Sequence, residues 1–145
     1  MKAVRSRSDK LGYKKYLESL TPEDGCQFCS IEQGHQQFVS DSSHFKIILN
    51  KFPYAKWDSQ PVAEHLMIVP KQHTDTLRDL SFEESKEYVE LISEYEHDGY
   101  NIYARTPGSN MKSVKHQHTH LIKLAPRHKT RAIFLSGPAL FKPAR

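Results

Sequence analysis

The sequence predicts an α+β domain built on an antiparallel sheet, and three observations predict it. Apart from a short N-terminal helix, apolar strand-like runs come first, one long helical pattern follows, and further strands close the domain. Strands and helices therefore do not alternate as a parallel sheet requires. The long helical pattern carries its own start and stop signals. The last strand alternates strictly between two kinds of side chain, the period of an extended segment with two different faces.

In chain order, Tyr13 to Leu20 reads as a short amphipathic helix stopped by Thr21-Pro22. Cys26-Gln27-Phe28-Cys29 sits between a turn-forming stretch and a short following element. Phe45 to Leu49 is a compact apolar strand, and Asn50 to Ala55 is irregular, broken by Pro53. His65 to Val69 is a second strand, ended by Pro70. Ser81 with Glu84 forms a capping box, and Tyr88, Leu91, Ile92 and Tyr95 recur at helical spacing. This predicts a helix from about Phe82 to Glu96, ended by Gly99 and covering one face of the sheet. Tyr100 to Ala104 is a third strand, and residues 106–110 are a turn cluster. Val114 to Leu124 is the last strand. Val114, His116, His118, His120 and Ile122 share one face, and Lys115, Gln117, Thr119 and Leu121 the other.

With 145 residues, 37% hydrophobic and 26% charged, the chain suits one globular domain with a single core. Apolar runs such as Leu66 to Val69 are too short to span a bilayer. The first fifteen residues have no apolar core of the kind a secretory signal needs, so a cytoplasmic protein without membrane contact is expected. The net charge of +4 hides a division. Residues 1–15 hold six basic and one acidic residue, residues 123–145 hold six basic and none acidic, and the stretch between is acidic. Such basic ends fit either solvated tails, the favoured reading, or contact with nucleic acid or polyphosphate.

The chemistry is concentrated in His116, His118 and His120. On one strand face they would lie roughly 6.6 Å apart. Neutral imidazole is both a nucleophile and a metal ligand, and neighbouring imidazoles can orient it or hold a phosphate. A metal-binding strand, or histidines without function, are the alternatives. Cys26 and Cys29 alone make half of a zinc site or a redox pair.

His116-Gln117-His118-Thr119-His120-Leu121-Ile122 resembles the signature of the histidine triad (HIT) family. Ile48-Leu49-Asn50-Lys51-Phe52-Pro53 is similar to the family's strand with its nucleoside-contacting Asn. The run from His65 through Pro70 to His73 is similar to its His-apolar-apolar-apolar-x-Pro-x-x-His strand. The pair Cys26 and Cys29 recurs at the start of many bacterial members. The resemblance covers about residues 25–127, leaving 1–24 as a basic N-terminal extension with the short helix and 128–145 as a basic C-terminal tail.

The resemblance implies a HIT-like fold with a five-stranded antiparallel sheet, one long helix and the short N-terminal helix, as a homodimer. It implies cleavage at the α-phosphorus of a nucleotide or dinucleoside polyphosphate, or of a nucleoside phosphoramidate. His118 would be the nucleophile, forming a nucleotidyl-histidine that water hydrolyses, and His120 would contact the phosphate or leaving group. Asn50 would reach the ribose or phosphate side, Lys112 and Ser113 the phosphate, and His65 would support the triad. In zinc-containing relatives the ligands correspond to Cys26, Cys29, His73 and His116, a closed Cys2His2 structural site. His116 would then orient His118 instead of acting as an acid. Glu64 and Lys112 depart from the residues common in the family, and Lys112 would suit a longer polyphosphate.

Other readings stay open. Phosphate could replace water as acceptor, giving a phosphorylase or nucleotidyltransferase. A nucleotide- or nucleic-acid-binding module with little turnover would draw on Arg127, His128, Lys129 and Arg131, with Phe134 and Phe141 for stacking. Trp57, Ile47 and Phe52 are candidates for a base pocket and equally for the core.

Overall fold

The computed structural model of the chain describes residues 3–21 and 25–126. In chain order its strands and helices are β1 (Ala3–Val4), α1 (Arg7–Ser19), β2 (Phe38–Asp41), β3 (Phe45–Leu49), β4 (Lys56–Trp57), β5 (Gln60–Pro70), α2 (Phe82–His97), β6 (Tyr100–Ala104) and β7 (Thr119–Leu124). A 3-10 turn at Leu77–Asp79 precedes α2. The basic tail with Arg127, His128, Lys129, Arg131, Phe134 and Phe141 lies outside the described residues, as does Pro22.

The α+β class and the antiparallel pairing agree with the sequence, and β3 and β6 have the expected bounds. Five strands form one ladder in the order β2-β3-β5-β7-β6, and β4 and then β1 pair onto the start of β5. The sheet therefore has seven strands, not the expected five. β1 and β4 have two residues each, too few to show a period in the sequence. The N-terminal helix is also longer than expected. It spans 13 residues because Ser6 caps it, accepting a hydrogen bond from the Asp9 backbone N–H at 3.0 Å.

The final strand begins at Thr119, not at Val114. Its register pairs Thr119 with Ile68 on β5 and with Ala104 on β6. Beyond those positions β5 ends at Pro70, which has no N–H to give a ladder, and β6 gives way to the turn at Pro107. The segment carrying His116 and His118 is thus not a strand, and the Gln117 N–H donates instead to the Thr74 carbonyl at 2.6 Å.

Helix α2 forms as its sequence dictates. Ser81 accepts from the Glu84 N–H, the Ser81 N–H donates to the Glu84 carboxylate at 2.7 Å, and Gly99 leaves the helix at φ 87°. Tyr88, Leu91, Ile92 and Tyr95 pack on a core of Phe45, Ile47, Leu66, Ile68, Tyr100 and Leu121. Because side chains alternate along β7, Thr119 and Leu121 face this helix, with Tyr88 Oη 2.8 Å from Thr119 Oγ1. His120 and Ile122 are left for the opposite face, and Ile122 packs there with Tyr54 and Trp57. Leu121 is fully buried, so Leu121→Ala should cost about 2–5 kcal/mol in denaturant unfolding. No helix among the described residues is long and apolar enough to cross a membrane.

Candidate active site

The segment before β7 and β7 itself bring His116, His118 and His120 together, all buried. His118 Nδ1 lies 2.9 Å from the His116 carbonyl oxygen. A carbonyl only accepts, so this nitrogen carries the ring proton and Nε2 keeps a bare lone pair. Burial pushes the His118 pKa down to about 4, helped by the charges of Lys112 and Arg105. The ring is therefore neutral near pH 7, in the tautomer a nucleophile needs.

His120 is set by a second chain of contacts. The Tyr54 backbone N–H donates to His65 Nδ1 at 3.1 Å, which leaves the proton of neutral His65 on Nε2. That nitrogen lies 3.0 Å from His120 Nδ1, which must accept, so His120 carries its own proton on Nε2. Burial holds the His65 pKa at about 3, with Arg5 and His118 adding to the shift, and burial holds His120 well below its ordinary value. Asn50 Oδ1 accepts from the Phe52 N–H at 2.9 Å, which turns the Asn50 amide nitrogen to within 3.2 Å of His65 Nε2.

These residues open onto a cleft of about 560 Å³ lined by His118, His120, Asn50, Ser113, Phe28, Ile31, Met67 and Val114, and by residues of α1. Phe28 packs edge-on against the His118 ring at 5.0 Å between centroids. Of the three base-pocket candidates only Phe52 lines this cleft; Trp57 and Ile47 are buried in the core. Lys112 does not line it. Its Nζ donates to the Asp75 carbonyl at 3.0 Å and to Gln117 Oε1 at 2.9 Å. The sequence patterns do not single out Arg5, Tyr13 and Tyr16 as part of the site, because only the tertiary fold brings α1 and the residue after β1 onto the cleft.

A second cluster lies beside the histidine row. Cys26, Cys29, His73 and His116 place one ligand atom each within 4.8 Å of one another. The His116 Nδ1 is 3.3 Å from Cys26 Sγ and 3.4 Å from Cys29 Sγ, and His73 Nδ1 is 3.4 Å from Cys29 Sγ. Four ligands at zinc bond lengths sit about 3.4–3.8 Å apart at the corners of a tetrahedron, so the spacing fits that ion. The outer ring nitrogens are held as well. His116 Nε2 donates to the Pro70 carbonyl at 3.0 Å, leaving Nδ1 bare toward the sulfurs, and His73 Nε2 faces the Asp75 carboxylate at 3.4 Å. Buried Lys46, absent from the sequence expectations, donates to the carbonyls of Ile31 at 2.7 Å and Cys29 at 3.4 Å and fixes the cysteine turn.

Residues 32–127 match the HIT domain. The chain is 33% identical over 113 residues to adenosine 5'-monophosphoramidase HNT1 of Saccharomyces cerevisiae, covering 74% of this chain and 68% of that protein. It is 27% identical over 110 residues to the Candida albicans protein of the same name, covering 67% and 68%. Among solved structures, a zinc-bound histidine triad family protein from Mycobacterium smegmatis has the same fold, with a TM-score of 0.52 at 22% identity, covering 77% of this chain and 81% of that one. By the extent of the domain match and its identity to the yeast protein, the chain belongs to the HIT family.

Proposed function

We propose that the chain is a nucleotide hydrolase that cleaves at the α-phosphorus of a nucleoside phosphoramidate or dinucleoside polyphosphate through a nucleotidyl-histidine intermediate. The observation that carries this reading is the tautomer of His118, with Nδ1 bound to the His116 carbonyl and Nε2 bare in a cleft it shares with His120, Asn50 and Ser113. The name of the yeast relatives points to the phosphoramidate arm. In the first step the Nε2 lone pair forms a P–N bond while the bond to the leaving group breaks; the His120 Nε2–H donates a hydrogen bond to the departing atom, which takes its proton from water. In the second step water attacks phosphorus and loses a proton to solvent, and His118 leaves with nucleoside monophosphate released. His65 keeps His120 in the tautomer this requires. Asn50 would meet the ribose or phosphate and Ser113 the phosphate.

Cys26, Cys29, His73 and His116 would hold a structural zinc, which when bound pins the N-terminal loop to the segment before β7. The zinc-bound relative supports the assignment. Cysteines placed to ligate a metal fit a reducing cytoplasm, and the family resemblance supports a homodimer.

A panel of adenosine phosphoramidate and diadenosine polyphosphates, with products identified by mass spectrometry with and without inorganic phosphate, tests the reading. AMP released without phosphate is expected. A nucleoside diphosphate formed only with phosphate would replace the hydrolase by a phosphorylase. Binding without turnover of any member would favour the module reading.

A further inference from the structure

The matched domain begins at residue 32, yet Arg5, which directly follows β1, and Tyr13, Tyr16 and Ser19 of α1 line the cleft. β1 is anchored by pairing Ala3 with Trp57 and Val4 with Lys56, and by the Ala55 N–H donating to the Val4 carbonyl at 2.8 Å. The next residue, Arg5, is therefore held from both sides. Its Nε donates to the Phe52 carbonyl at 3.0 Å, and its guanidinium lies 4.3 Å from the Tyr13 ring centroid and 5.0 Å from that of Tyr54. Tyr54 packs against His65 at 4.8 Å and His120 at 5.9 Å, so Arg5 stands one ring away from the reacting imidazoles.

We propose that Arg5 is a substrate-binding group of this cleft that selects conjugates carrying an anionic group in addition to the α-phosphate. The inference rests on the nucleotide reading above. The bond through Nε leaves both Nη groups, the prongs that grip a phosphate or carboxylate, for a ligand. Among the described residues no carboxylate pairs with Arg5 or with Lys51, which lines the same cleft. Lys51 Nζ lies over the Tyr16 ring at 3.9 Å, held by the same helix. Two cations with no acidic partner among the described residues, in a concave site, favour an anion there. The sequence offers Lys112, a departure from the family pattern, for a longer polyphosphate, but Lys112 is tied to Asp75 and Gln117, and Arg5 lines the cleft.

The full-length protein and its Arg5→Gln and Arg5→Lys variants are compared on three substrates. Adenosine phosphoramidate has an uncharged leaving group, diadenosine triphosphate an anionic phosphate, and the adenosine phosphoramidate of aspartate anionic carboxylates. Arg5→Gln should lower the ratio of kcat/KM on an anionic substrate to that on the neutral one by about 10- to 100-fold, mainly through KM, with partial recovery in Arg5→Lys. Whichever anionic substrate loses more identifies phosphate or carboxylate as the group bound. An unchanged ratio would overturn the proposal and leave Arg5 as a pin for β1 and α1, including where all substrates weaken equally. If the wild type turns over none of the three, the hydrolase reading fails and Arg5 is judged by equilibrium binding of ADP against AMP. There a fall in relative ADP affinity in Arg5→Gln sustains the inference and an unchanged ratio ends it.

Discussion

Replacing His118 by Asn lowers turnover of the accepted nucleotide conjugate by on the order of 10⁴-fold or more while leaving AMP binding within a few-fold of wild type. The size follows from what Nε2 supplies. Its lone pair is bare and fixed by geometry, because the Nδ1 proton is committed to the His116 carbonyl. Asn retains an N–H able to meet that carbonyl and so preserves the turn, but it has no nucleophilic nitrogen. Without it, in-line attack by water must replace two easier displacements. Steady-state kinetics beside calorimetric AMP titration separates chemistry from binding. Turnover within tenfold of wild type would remove His118 from the nucleophile's role.

Cys26→Ser should reduce bound zinc from about one per chain to a small fraction and lower the melting temperature by on the order of 10 °C. The effect is large because the cluster stands where the sheet is missing. Residues 114–118 have no strand partner, since Pro70 closes β5 and β6 has already ended. Their anchors include the Gln117 N–H to Thr74, the His116 ring to Pro70, and the contacts of His116 with the two cysteines. Losing one ligand loosens the segment that positions His118, so kcat should fall as well, by roughly 10- to 100-fold. Metal analysis and calorimetry on one sample check this, and a chelator should reproduce it in the wild type. Unchanged zinc content would refute the site.

Much of this architecture is legible in the chain because local rules and tertiary structure agree there. The Ser81–Glu84 box and the Tyr88, Leu91, Ile92 and Tyr95 stripe specify α2 and the face it covers. Phe45–Leu49 and Tyr100–Ala104 are bounded as their patterns predict. The histidine alternation is legible too, but its strand is not, because a period of two continues past the point where hydrogen-bond partners run out. β1 and β4 are invisible for a different reason. They pair through backbone on two residues each, which leaves no trace in side-chain order.

The site divides in the same way. The pair Cys26 and Cys29 lies far in sequence from His73 and His116, and only the resemblance joins them before the fold does. Lys112 shows the limit of position-by-position transfer: an amide exchanged for an ammonium finds a backbone carbonyl and Gln117 instead of the cleft. Arg5 carries no local signal, since its role depends on β1 pairing with β4.

The central claim, a nucleotide held covalently on His118, is tested most directly by intact-protein mass spectrometry of enzyme quenched during turnover. One added nucleoside monophosphate, lost in acid, mapped to His118 and absent from His118→Asn, is the predicted result. Steady turnover with no adduct on rapid quenching, or an adduct that persists in His118→Asn, would contradict it.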